Sequence, residues 1–151
     1  MTKDTGVAIH SDALLGKRVL LAIAGGIAAV ESVRLARELR RHQADLTVIM
    51  SEEATKIITP LAVSWGSDTI VHQGWSSEMS QLEAFDVILI APATRNTISK
   101  HLHGIMDSPL LMALSASRGR KSKLCFVPSM HTDLFDDPVT SELLDALRDE
   151  G

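Results

Sequence analysis

The sequence predicts an α/β domain of three layers, a parallel sheet with helices on both faces. Two observations predict it. Short continuous apolar runs recur at 18–24, 45–50, 85–91 and 123–127, as strands buried on both faces require. Between them lie stretches with helical spacing of apolar residues, and strand–helix–strand alternation leads through right-handed crossovers to a parallel sheet. The length of 151 residues suits one domain around one core.

The elements follow in order. Residues 1–16 carry no periodic pattern and are expected to be a flexible N-terminal segment, with a single domain over 17–151. The first strand ends at Gly25-Gly26, and a helix is expected from Ile27 to His42, with Ile27, Val30, Val33, Leu35, Ala36 and Leu39 as its apolar stripe. After the second strand, Ser51 stands as an N-cap before Glu52-Glu53-Ala54, and Pro60 stops or bends that helix. The stretch 64–80 carries little signal beyond a brief strand at 69–71. Beyond the strand at 85–91, helices are expected at about 97–103 and 109–117, then the strand at 123–127. A last amphipathic helix spans about 138–148, with Leu143, Leu144 and Leu147 inward. The pattern is that of a Rossmann-like or flavodoxin-like layer structure.

Composition narrows the function classes. The net charge is −4, with cations scattered among acids, which disfavours nucleic acid as a partner. No run approaches the roughly 18–20 apolar residues of a membrane span. The first fifteen residues lack a basic-then-apolar leader, so a cytoplasmic protein is expected. Cys125 is the single cysteine, mid-strand in an apolar run, and is expected to be a packed core residue. His101 and His103 lie two apart on a helix and share no face, so no metal site is expected.

In a doubly wound sheet, ligands bind beyond the carboxyl ends of the strands. The loops placed there are Gly25-Gly26-Ile27, Met50-Ser51, 91–97 and 128–131. Gly25-Gly26 between a strand and a helix allows close backbone approach and offers free amides to an anion, although a plain tight turn explains it as well. It is not a dinucleotide fingerprint, because Ala28-Ala29 stand where the later glycine belongs. Ser51 is either a cap alone or a cap whose hydroxyl also reaches a phosphate. The run Ala91-Pro92-Ala93-Thr94-Arg95-Asn96-Thr97 places small and neutral hydrogen-bonding groups after a buried strand, the surface a flat heteroaromatic ring requires; helix capping is the plainer alternative.

Four segments, AIAGGIAAVES from 22, VIMSEEATKIITPLAV from 48, DVILIAPATRNTISKHLHGIMDSPLL from 86 and FVPSMHTDLFDDP from 126, resemble the flavoprotein family of the phosphopantothenoylcysteine and peptidyl-cysteine decarboxylases. The likeness spans most of 17–138, and its third segment is the specific one. It implies an FMN cofactor at a subunit interface, in a homotrimer or a dodecamer of trimers acting on a small-molecule substrate or electron donor. Gly25, Gly26 and Ser51 would hold the FMN phosphate, with Ile27 in the same loop. Ala93, Thr94, Asn96 and Thr97 would contact the ring system, and Met130 and His131 would lie on the substrate side. Lys100 also matches a motif position.

The chain departs from the decarboxylases at three places. Glu78 stands where they carry a catalytic histidine, His131 where they carry asparagine, and no glycine-rich substrate clamp occurs before Gly151. Loss of the base points to an FMN-dependent oxidoreductase, resembling dihydromethanopterin reductase, with His131 as the catalytic hydrogen-bond or proton donor. Decarboxylation of phosphopantothenoylcysteine or a peptidyl cysteine is the alternative, and a non-catalytic flavin carrier or regulatory subunit the second.

Overall fold

The computed structural model describes residues 4–151. Its strands are β1 (Arg18–Ile23), β2 (Asp45–Met50), β3 (Val71–His72), β4 (Val87–Ala93) and β5 (Lys123–Pro128). They form one parallel sheet in the order β3-β2-β1-β4-β5. The chain starts in the centre, steps outward through β2 to β3, then crosses back to β4 on the other side of β1. Winding direction therefore reverses between β1 and β4, which opens a crevice at their carboxyl ends.

Side-chain alternation along β1 divides the core. Val19, Leu21 and Ile23 enter one cluster with Val48, Met50, Ala36 and Val63, while Leu20 and Ala22 enter another with Ile88, Ile90, Ile98 and Leu114. Helices α1 (Ser32–Arg41) and α3 (Pro60–Ser67) cover the first face, and α4 (Arg95–Leu102), α5 (Pro109–Gly119) and α7 (Pro138–Asp149) the second. Each fully buried Leu or Ile contributes about 1.5–3 kcal/mol, so the two clusters fix the sheet firmly beneath its loops. Short helices α2 (Glu52–Thr55) and α6 (Thr132–Phe135) lie near the carboxyl ends. Ahead of β1, His10 and Leu14 donate backbone bonds to the carbonyls of Arg41 and His42, 2.8 and 2.9 Å away.

Several elements differ from the sequence expectation. The helix expected from Ile27 begins as a 3-10 turn over Ile27–Glu31, and Ile27 and Val30 are 78% and 51% exposed rather than part of the inward stripe. A 3-10 turn rotates about 120° per residue, so these two side chains leave the face that α1 continues. Pro60 starts a helix rather than ending one: α2 stops at Thr55, and Thr59 caps α3, accepting from Ala62 N at 3.1 Å. Cys125 is exposed, not packed. It lies on the edge strand β5, where Leu124 and Phe126 face the second core cluster and their neighbours face outward. The helices of the first face pack on β2 and β3 instead. Among the described residues, no helix is long and apolar enough to cross a membrane.

Candidate functional site

The crevice at the switch point holds two adjoining cavities that share Thr94 and Asn96. The first, about 410 Å³, is lined by Gly25, Ser51, Thr94, Asn96, Thr97 and Ser108, among others. The second, about 630 Å³, is lined by Gly26, Ile27, Arg95, Met130, His131 and Leu134 besides the shared pair. Seven of the residues expected from sequence to bind a cofactor thus border one or both. Ala93, the eighth, borders neither: its side chain is fully buried in the second core cluster, beneath the site.

Three helix starts converge on the first cavity. Ser51 Oγ accepts from Ala54 N at 3.1 Å, Thr94 Oγ1 from Thr97 N at 3.2 Å, and Ser108 Oγ from Leu111 N at 3.3 Å. These residues cap α2, α4 and α5, so the positive ends of three helices meet in one place. Thr94 also donates to the hydroxyl of Thr97 at 2.9 Å, which fixes both side chains. Gly25 completes the wall: a Cβ there would lie 2.4 Å from Glu53 Cβ and 3.0 Å from its carbonyl carbon. Only glycine lets this backbone pass so close to α2. The acids nearby are partly neutralised, Glu53 by Lys56 at 3.1 Å and Asp107 by Lys100 at 2.7 Å. Such a cavity suits a phosphate held by main-chain amides and hydroxyls. Ser108 went unassigned in the sequence, although Ser-Pro ahead of an apolar helix is a capping signal.

The second cavity is more apolar and sits beside the 128–137 turn. His131 caps α6 with its ring, Nδ1 accepting from Asp133 N at 3.2 Å. In the neutral imidazole that bond places the proton on Nε2, which has no partner among the described residues. A hydrogen-bond donor therefore borders a largely apolar space. Glu78 lies elsewhere, exposed in the turn before Met79.

The family model described as Flavoprotein matches residues 7–151. Among curated proteins, the Coenzyme A biosynthesis bifunctional protein CoaBC of Thermococcus kodakarensis is 38% identical over 95% of this chain and 37% of its own length. CoaBC of Methanocaldococcus jannaschii is 35% identical over 83% of this chain and 32% of its own length. The chain thus spans about a third of the length of these relatives. Among solved structures, the FMN-dependent cysteine decarboxylase SpaF superposes with a TM-score of 0.81 at 25% identity, covering 92% of this chain and 83% of that one. A PPC decarboxylase mutant, at 23% identity and TM-score 0.74, shares the fold over 89% of this chain and 79% of its own. With the sheet order, the paired cavities and a family match over nearly the whole length, the chain belongs to the Flavoprotein family.

Proposed function

We propose that this chain binds FMN and serves a decarboxylation of a cysteine-type substrate. The observation that carries the reading is the convergence of Gly25 and three capped helix starts on one cavity that opens, past Thr94 and Asn96, to an apolar cavity bordered by His131. Under this reading the first cavity takes the phosphate and the shared residues meet the ring system, while Met130 and His131 face the substrate. Bound FMN would supply a two-electron acceptor. The chain's own part is to hold the phosphate on backbone amides, to keep the second cavity poor in water, and to offer the His131 Nε2 proton to a substrate oxygen. The relatives named above support decarboxylation over the oxidoreductase reading that the sequence favoured.

The assembly proposed is a homotrimer or a dodecamer of trimers with the cavities at the subunit interface. Ile27, 78% exposed where it borders the second cavity, supports it, since a large apolar side chain there is better covered than solvated. An oxidoreductase with a separate electron donor and acceptor is retained as a second reading, favoured by Glu78 at the position of the decarboxylases' histidine. The experiment purifies the protein with FMN and incubates it with phosphopantothenoylcysteine or a peptide ending in cysteine. Carbon dioxide release supports the first reading; bound FMN without carbon dioxide, but with turnover by an external donor and acceptor, supports the second. A protein that takes up no FMN refutes both.

A further inference from the structure

We propose that Arg95 is a positioning residue: through Asp137 it fixes the turn carrying Met130 and His131 opposite the start of α4. The proposal rests on the reading of the second cavity as the substrate side. Apolar packing holds this turn weakly. No residue of α6 is buried, and Leu134 and Phe135 are 45% and 56% exposed. Polar bonds therefore decide where it sits.

Those bonds converge on one guanidinium. Arg95 Nη1 donates to Asp137 Oδ2 at 2.6 Å and to Thr140 Oγ1 at 3.3 Å. Thr140, only 1% exposed, donates in turn to the carbonyl of Leu134 at 2.6 Å. The other oxygen of Asp137 accepts from Val139 N at 3.1 Å and caps α7. The Val139 amide and, less strongly, the Arg95 guanidinium hold the Asp137 carboxyl below its ordinary range. One side chain thus ties the first residue of α4 to the end of α6 and the first turn of α7. At the upstream end, Ser129 N donates to the carbonyl of Ala93 at 3.2 Å.

Between those two anchors, the bonds of His131 are local ones: its ring to Asp133, its carbonyl to the amides of Leu134 and Phe135. The ring's place over the cavity is inherited from the anchors. Arg95 itself borders that cavity beside Asn96, so the strut and the site share a wall. Charge-assisted bonds are about twice as strong as neutral ones, which makes the Arg95 end the stronger anchor.

The test uses the FMN-loaded full chain and the variants Arg95→Gln, Arg95→Lys, Asp137→Asn and Arg95→Gln/Asp137→Asn. Amide hydrogen exchange over 130–136 should quicken about tenfold in either the Gln or the Asn single variant, and the double variant should be no faster than the faster single. N-acetylcysteine, titrated against the flavin absorbance, should bind about tenfold more weakly to Arg95→Gln, with FMN affinity held within about threefold and part of the loss recovered in Arg95→Lys. In a His131→Ala background, Arg95→Gln should cause no further loss of N-acetylcysteine binding. Unchanged exchange, additive single effects, or a full loss that persists without His131 would each overturn the proposal. Should the wild-type chain take up no FMN, the functional reading fails, and the exchange measurement on the unliganded chain still decides whether Arg95 is the strut.

Discussion

Replacing Gly25 by alanine tests whether the first cavity depends on close backbone approach. The added Cβ would meet Glu53 Cβ at 2.4 Å, its carbonyl carbon at 3.0 Å and Ala54 N at 3.2 Å. Carbon atoms pack at about 3.5–4.0 Å, so the overlap exceeds about 1 Å, and two of the three atoms are backbone that no rotamer change relieves. Helix α2 must shift as a unit, carrying Ser51 with it. Overpacking of this kind costs about 1–3 kcal/mol. Gly26→Ala is the matched control: its Cβ would lie 3.6 Å from Thr94 Cγ2 and 3.7 Å from Pro92 Cγ, at a backbone φ of −93° that any residue adopts. Alanine there should cost under about 0.5 kcal/mol and could stabilise by restricting the unfolded chain. Urea unfolding measures both, and quenching of FMN fluorescence measures the site. Gly25→Ala should lower the unfolding midpoint and weaken FMN by at least about tenfold, a difference of roughly 1.4 kcal/mol. Equal stability of the two variants would refute the packing argument at its root.

Removing the Ser51 hydroxyl (Ser51→Ala) should cost about 1 kcal/mol of stability in denaturant titration, because Ala54 N loses its acceptor. Thr94→Ala should cost a similar amount, again about 1 kcal/mol by the same titration, since Thr97 N and the Thr97 hydroxyl both bond to it. His101 is fully buried against Glu150 at 2.9 Å, and burial holds its imidazole below the ordinary value of 6.5 despite that carboxylate. The unfolded chain then binds more protons than the folded one below pH 6.5, so stability should fall as pH drops from 6.5 toward the folded value. Unfolding midpoints compared at neutral and mildly acidic pH should show this, and a slope as steep in His101→Leu would assign it to other groups. Exposed Cys125 should react with a disulfide reagent in the native chain as fast as in urea; slow native reaction would mean the strand face is covered.

The sheet was legible because its inner strands bury both faces, which leaves short continuous apolar runs; β5, at the edge, buries only one. Strand and helix positions from β4 onward agree within about two residues, the ordinary uncertainty of element ends. Where the reading failed, local pattern lost to context. Ile27 and Val30 have helical spacing, but a 3-10 turn carries them to the surface. Cys125 sits in an apolar run, yet strand position decided its exposure, and an edge strand does not announce itself in one sequence. Beyond the loop expected at 128–131, the short helix α6 gave no signal because it buries nothing. Gly25 and Ser51 could be read as a turn and a cap because that chemistry is local, whereas Thr94 and Ser108, caps of the same kind, were not read as such. The Arg95–Asp137 bond was not legible, because Asp137 is 42 positions away and only the fold brings them together.

Three capped helix starts border the first cavity, and Lys100, the one cation among its lining residues, is paired with Asp107 at 2.7 Å; this has a consequence for tolerance to change. An amide dipole neither titrates nor depends on which side chain its residue carries. Affinity for a phosphorylated ligand should therefore be nearly flat with pH through the neutral and alkaline range, once the ligand's own phosphate is ionised. Sequence drift around the crevice can alter which molecule is admitted while leaving the anchor intact, provided the chain still turns at Gly25 and the helix starts stay where Ser51, Thr94 and Ser108 begin them.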